Sequence, residues 1–293
     1  MVKFSDTIKK IKGRDKNETA PAKRQLSPSL PPPEEPKVVS MPSETDFINP
    51  APGINSVSFC SAVKRTESHS AGTESIKLYR DMASLAKELL RLNAYYDDAN
   101  INMLASRIRR ISQLLEHGGE DMAMMPLCQT YSDGEYLFYH SVNTCIYSLI
   151  IGLALGYDEE SMTELGMSAF FHDIGMTAYT SLANQPRILL AAERDDIKNH
   201  PKRGFETLKH VSRTLPTTVF NAARQHHERL DGSGYPDGLK GESIDKYAAI
   251  VSLADVYEAA THRRAYRGES TPFDAVKDII ADKDSYEYDL IKI

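Results

Sequence analysis

The chain is short of cysteine, of positive charge and of long apolar runs, and each shortage excludes a class of protein. Its cysteines, Cys60, Cys128 and Cys145, form no CxxC pair and fit small thiols in a reducing cytoplasm. Acidic residues outnumber basic ones by 41 to 35, which argues against a nucleic-acid polymer as partner. The longest apolar stretch, 147–155, is too short for a transmembrane segment, and the basic N-terminus lacks the apolar core of a secretory signal.

Composition and periodicity divide the chain into three expected parts. Nine of the 15 prolines lie at or before Pro52, and no hydrophobic period persists there, so residues 1–75 are expected to be a disordered, Pro-rich segment. Apolar residues at three- and four-residue steps then predict an N-terminal helical region over 76–121. This region is either a small helical unit or a dimerisation hairpin, which leaves a homodimer open. The main domain is expected over 122–293.

Helical periodicity dominates the main domain, and alternating strand patterns are scarce, so the predicted fold class is all-α. Thr271-Pro272 is a good helix start, because a capping side chain precedes a proline at the first helical position. The predicted helices of this domain are 136–155, 159–173, 192–199, 202–211, 217–229, 243–262 and 272–282.

Residues that commonly bind metals recur at regular spacing in this domain. They stand at intervals of 32, 28, 27 and 28 residues, at His140, His172, His200, His227 and Asp255. This spacing places one such residue about every two helices, which suits a bundle whose helices direct side chains to one interior point.

Single motifs leave alternatives open. His172-Asp173 alone is better explained by a hydrogen-bonded pair at a helix end, and His226-His227 alone by two exposed histidines before a turn. Asp255 lies in a nearly continuous apolar helix, where a carboxylate needs a partner, either a nearby arginine or a metal.

Several sequence blocks occur together and in order over about 127–267. The longest runs from His226 to Leu239 and reads HHERLDGSGYPDGL. The others are Tyr139-His140-Ser141-Val142-Asn143, Phe171-His172-Asp173-Ile174-Gly175, His200-Pro201 with Gly204, and Ser252-Leu253-Ala254-Asp255 followed by Arg264-Ala265-Tyr266-Arg267. With these blocks the chain resembles the HD-GYP family of metal-dependent phosphodiesterases. The resemblance implies an HD-domain-type helical bundle around a dinuclear metal centre.

The resemblance also implies the metal ligands. His140, His172, Asp173 and Asp255 would hold one metal, and Asp173 would bridge to a second metal held by His200, His226 and His227. Two divalent ions, Fe or Mn, suit this mixed set of imidazole and carboxylate ligands. Two ions are expected rather than three, because Tyr136 stands where three-metal members carry a glutamate. His172 and Asp173 would be the catalytic pair.

The implied reaction is hydrolysis of the bacterial second messenger cyclic di-GMP by a metal-bridging hydroxide, to linear pGpG and often on to GMP. Gly234, Tyr235 and Pro236 would contact the substrate, and Arg264 and Arg267 would clamp a phosphate or a guanine edge. The alternative for the two arginines is a surface pair. The family's Gly-Tyr-Pro loop also implies a diguanylate cyclase of the GGDEF type as a partner.

One departure from the family pattern keeps other functions open, because Met176 replaces a lysine that reaches the substrate phosphate. A further departure, Ala265 in place of a proline, is expected to have only local consequences. The alternatives are a phosphodiesterase for another cyclic dinucleotide, such as cyclic GMP-AMP, and a weakly active nucleotide-binding or partner-interaction module. The complete set of metal ligands favours the enzyme.

Overall fold

The part of the chain that the structure describes consists of helices joined by turns and loops, without strands. This computed structural model describes residues 70–91, 96–128, 134–185, 187–212, 214–262 and 270–291. The α-helices are α1 (Ser70–Leu89), α2 (Asp98–Glu116), α3 (Glu120–Met124), α4 (Tyr136–Ala154), α5 (Glu159–Phe171), α6 (Thr180–Ala183), α7 (Ala191–Ile197), α8 (His200–Val211), α9 (Thr217–Gln225), α10 (Lys246–Thr261), α11 (Pro272–Ala281) and α12 (Tyr288–Ile291). Short 3₁₀ turns cover Pro126–Cys128, Ile174–Tyr179, Gly241–Ser243 and Lys283–Ser285. The predicted all-α fold is confirmed.

Polar side chains set the first residues of several helices. Asp97 accepts a hydrogen bond from the Asn100 amide at 2.8 Å, and Asp158 accepts one from the Ser161 amide at 2.9 Å. Thr271 caps α11 in the same way, as the sequence predicts. Each such cap contributes about 1 kcal/mol by satisfying a backbone N–H that has no partner within its helix.

Helix α4 lies at the centre of the bundle, with α1, α5 and α10 packed around it. Of the helices in the described residues, α4 is the one whose length and composition would allow it to cross a membrane. Within the bundle, 61% of that apolar window is buried, and the buried residues include His140 and Asn143. A core helix of a folded domain therefore accounts for its apolar character.

The first two helices contribute to the same core as the later ones. Tyr79 and Met82 of α1 and Ile108 of α2 are buried in one continuous apolar cluster with residues of α4, α5 and α10. Gly166 of α5 lies directly against Ile108, where a larger residue would collide with it. The boundary near residue 121 stays a prediction, and the segment expected to be disordered lies, up to residue 69, outside the described residues.

The helix predicted over 217–229 is shorter than expected. Helix α9 ends at Gln225, and His226 is its C-terminal cap. The backbone turns there because the following loop folds back, so that the Tyr235 amide donates to the His227 carbonyl at 3.1 Å. The two histidines therefore lie on a turn rather than on one helix.

Candidate metal centre

All seven predicted metal ligands converge at one place in the bundle, mostly from helix ends. Five of them come from the ends of α5, α8 and α9 and from the residues that follow α5 and α9, whereas His140 and Asp255 lie within α4 and α10. Their ligand atoms form two groups, each within 4.8 Å, which are Asp173, His200, His226 and His227, and His140, His172 and Asp255.

Asp173 belongs to the group of His200 and also faces the group of His140. Its Oδ1 is 3.1 Å from His200 Nε2 and 3.5 Å from His226 Nε2. Its Oδ2 is 3.5 Å from His140 Nε2. On the other side, His140 Nε2 is 3.2 Å from Asp255 Oδ1. One carboxylate thus faces ligands of both groups, which is the arrangement that a bridging ligand requires.

Backbone carbonyls fix which ring nitrogen carries the hydrogen in three of the imidazoles. A carbonyl oxygen can only accept, so the ring nitrogen beside it must carry the hydrogen. In each case Nδ1 donates to a carbonyl three or four residues earlier, from His172 to Ala169 at 2.7 Å, from His200 to Ile197 at 2.8 Å and from His226 to Ala222 at 2.9 Å. In the neutral rings, Nε2 therefore presents a lone pair toward the centre.

In the group that contains Asp173, two of these Nε2 atoms face each other. His200 Nε2 and His226 Nε2 are 3.2 Å apart. The nearby Asp173 Oδ1 is buried and has no hydrogen-bond partner among the described residues. Three acceptors at this separation repel one another unless a proton or a metal ion lies among them. Nitrogen and oxygen donors without thiolate suit Fe or Mn, so the residues present fit the metals that the family resemblance implies.

Glu258 supports His140 and was not predicted from the sequence. Its carboxylate is fully buried, and Oε2 accepts from His140 Nδ1 at 2.6 Å while Oε1 accepts from Asn143 Nδ2 at 3.0 Å. The requirement that a buried carboxylate have a partner, applied to Asp255, would have identified Glu258 on the same apolar helix. Although burial alone would raise it, the His140 imidazole lowers the pKa of Glu258 to about 2.

Electrostatics prepares three of the seven predicted ligands for metal binding. Burial lowers the pKa of His172 to about 4 and that of His227 well below its usual value, so both rings are neutral near pH 7. Burial alone would raise the pKa of Asp173, but His172 and His200 hold it well below its usual range. His140 differs, because Tyr136 and Glu258 outweigh burial and hold its pKa well above the usual value. A metal entering beside His140 therefore displaces a proton.

A cavity of about 490 Å³ opens beside the two groups. Arg229 is the one lysine or arginine among its lining residues in the described part of the chain, and Met176 lies in the same wall. Arg229 donates through Nη1 to Ser252 Oγ at 2.7 Å, and its guanidinium lies 5.0 Å from the centre of the Tyr286 ring. The predicted clamp residues Arg264 and Arg267 lie outside the described residues.

The predicted substrate loop is anchored to the ligand segment. Gly234 packs directly on the backbone of 227–229, where a side chain would collide, which explains the glycine at this position. The buried Glu228 carboxylate accepts from the amides of Asp237 at 2.7 Å and Leu239 at 3.0 Å.

The two residues after Gly234 complete this loop. The Tyr235 ring lines the cavity and stacks on His227, with ring centres 4.7 Å apart. Pro236 follows Tyr235 through a cis peptide bond. Tyr235 is thus placed between the predicted metal ligand His227 and the cavity.

Comparisons with known proteins find an HD domain and relatives with named activities. The profile of the HD domain family matches residues 98–290. Cyclic di-GMP phosphodiesterase PA4108 of Pseudomonas aeruginosa is 30% identical over 60% of this chain and 42% of its own length. Response regulator RpfG of Xanthomonas campestris, also named a cyclic di-GMP phosphodiesterase, is 30% identical over 64% of this chain and 50% of its own. A 3′3′-cGAMP-specific phosphodiesterase of Vibrio cholerae is 33% identical over 50% of this chain and 34% of its own.

The chain spans half or less of the length of these curated relatives. Among solved structures it is similar to Bd1817, an HDG"Y"P protein from Bdellovibrio bacteriovorus, with a TM-score of 0.64 and 18% identity. That match covers 79% of this chain and 74% of the other, and it supports the fold.

Proposed function

The chain belongs to the HD domain family, in agreement with its HD-GYP resemblance, and from that premise we propose that it is a metal-dependent phosphodiesterase for cyclic di-GMP. The observation that carries the proposal is the convergence of seven nitrogen and oxygen ligands, with facing lone pairs, beside a cavity of about 490 Å³. Relatives named as cyclic dinucleotide phosphodiesterases support the substrate class.

Each group of ligands would hold one ion. His140, His172 and Asp255 would hold the first, and His200, His226 and His227 the second, with Asp173 shared between the two. When bound, two divalent Fe or Mn ions supply Lewis acidity and activate water for attack on a phosphodiester.

The remaining groups of the cavity would bind and orient the dinucleotide. Arg229 would donate to a phosphate oxygen, because it brings a guanidinium to a wall that otherwise lacks lysine and arginine among the described residues. Burial raises the pKa of Tyr235, so its hydroxyl stays protonated and can donate to the substrate. Gly234 and Pro236 would hold Tyr235 in this position.

A cyclic GMP-AMP phosphodiesterase is the second candidate. Met176 in the cavity wall removes a charge that the family resemblance leads one to expect, and relatives specific for 3′3′-cGAMP align with this chain. The presence of all seven ligands favours either enzyme over a module that only binds nucleotide. A GGDEF-type partner, a homodimer and a cytoplasmic location remain predictions.

The test is hydrolysis by the full chain, loaded anaerobically with Fe(II) or Mn(II). Cyclic di-GMP and 3′3′-cGAMP are supplied in parallel, products are resolved by chromatography, and Asp173→Ala is the control. We expect pGpG from cyclic di-GMP, and no product from the control. Faster turnover of 3′3′-cGAMP would transfer the assignment to the second candidate. Protein that holds two metals and hydrolyses neither compound would contradict both.

A further inference from the structure

A chain of buried hydrogen bonds runs from α1 to a metal ligand. The Tyr79 hydroxyl donates to Asn143 Oδ1 at 2.7 Å, and Asn143 Nδ2 donates to Glu258 Oε1 at 3.0 Å. Glu258 Oε2 then accepts from His140 Nδ1 at 2.6 Å. All four residues are at most 1% exposed. The chain thus crosses from α1 through α4 to α10 and returns to α4 at His140.

Each bond in this chain constrains the next. The ionised Glu258 carboxylate can only accept, so the Asn143 amide nitrogen must face it, and the Tyr79 hydroxyl then donates to the amide oxygen. The amide nitrogen holds one oxygen of the carboxylate while the other faces His140. His262 Nδ1 and the Tyr136 hydroxyl lie farther from this carboxylate, each at 3.3 Å.

The last bond determines what His140 presents to the centre. Because Nδ1 donates to Glu258, Nε2 is the atom that faces Asp255 and His172. Outer partners of this kind orient a histidine ligand and raise its basicity, and their loss typically reduces metal affinity about 10- to 100-fold.

We propose that Tyr79 is a positioning residue for the metal ligand His140, so that the packing of α1 sets the metal affinity of the centre. The inference rests on the metal centre of the proposed function. It also assigns α1 a role in the site, although no residue of α1 is a metal ligand.

The test is a double-mutant cycle on the full chain. The measured quantity is the affinity for Mn(II), determined by competition with a chromogenic chelator. Tyr79→Phe removes the hydroxyl and keeps the ring. We expect it to lower the affinity for the more weakly bound Mn(II) ion about 3- to 10-fold. This effect is smaller than the usual effect of losing a residue that is hydrogen-bonded directly to a metal ligand. Glu258→Gln is expected to weaken binding about 10- to 100-fold. Since both act through one chain, the double variant should bind as Glu258→Gln alone does.

Tyr96→Phe is the matched control. Its hydroxyl is also buried and donates to a carbonyl of α1, that of Leu89, at 2.5 Å, but this bond does not lead to a metal ligand. It should lower the melting temperature as Tyr79→Phe does and leave Mn(II) affinity unchanged. If Tyr79→Phe is too unstable to titrate, Asn143→Leu breaks the same chain from α4 and should weaken binding at least as much.

The outcomes separate the two proposals. Wild-type protein that binds Mn(II) while Tyr79→Phe binds equally well, or while the two substitutions add fully, would overturn the role of Tyr79 and leave the metal centre intact. Wild-type protein that binds no divalent ion would overturn the metal centre, and this inference with it.

Discussion

The candidate metal centre has two halves, the ligand group of His200 and the ligand group of His140, and they are supported in different ways. In one half, His200 and His226 are held by backbone carbonyls of their own chain segments. In the other half, His140 is held by the side chain of Glu258, which is 118 residues away. A ligand held by its own backbone is oriented as soon as its helix end forms. A ligand held by a distant side chain is oriented only when the helices pack correctly.

The difference implies that the halves respond to different perturbations. No side-chain substitution removes a carbonyl, so the orientation of His200 and His226 changes only when the backbone moves. The half with His140 is disturbed by exchanging one atom of Glu258. His172 combines both conditions, because its Nδ1 donates to a carbonyl while its Nε2 lies 3.2 Å from His140 Nε2.

Asp173→Asn should have the largest effect, because it alters the residue that faces both halves. The amide keeps the shape of the side chain but loses the negative charge that faces His140 on one side and His200 on the other. We expect phosphodiesterase activity at the background rate and fewer than two bound metals by elemental analysis. Two tightly bound metals in this variant would show that Asp173 is not the shared ligand.

Gly175→Ala should disturb the half that depends on the backbone. Gly175 lies directly against the His200 carbonyl and the Gly204 amide, so an added methyl group must displace the start of α8. We expect activity to fall about 100-fold, as small displacements of catalytic groups do, and stability to fall by about 1–3 kcal/mol. Ala259→Gly, elsewhere in the cavity wall, controls for a general loss of stability. Unchanged metal content and activity would contradict the close packing.

Glu258→Gln should weaken one half and spare the other. The uncharged amide no longer stabilises the hydrogen on His140 Nδ1, so affinity for one of the two ions should fall about 10- to 100-fold. Mn(II) titration should then resolve one tight and one weak site. Equal weakening of both sites would mean that the two halves are not supported independently.

Arg229→Met should have the smallest effect and should leave both halves intact. We expect two bound metals, unchanged kcat and a KM for cyclic di-GMP about tenfold higher, which corresponds to about 1.4 kcal/mol of lost binding. Arg203→Met, outside the cavity lining, is the control. A loss of metal in Arg229→Met would assign the arginine to the support of the loop rather than to the substrate.

Sequence reasoning predicted the helical fold and the seven residues that the structure brings together, because motif residues and helix periods are local signals. It missed Glu258, although the partner requirement applied to Asp255 extends to it, and the partner that Glu258 finds depends on packing between α4 and α10. It placed His226 and His227 on a helix, because the turn after Gln225 is set by Glu228 and Gly234 farther along the chain.

The anchoring of the loop at Gly234 has a consequence for local stability. The loop shares backbone contacts with His227, and Glu228 binds the amides of Asp237 and Leu239, so these residues should open and close as one cooperative unit. Amide hydrogen exchange at Asp237 and Leu239 would then slow when metal binds at His227, even though neither residue is a metal ligand. The loop would thus report occupancy of the metal centre through its exchange rate.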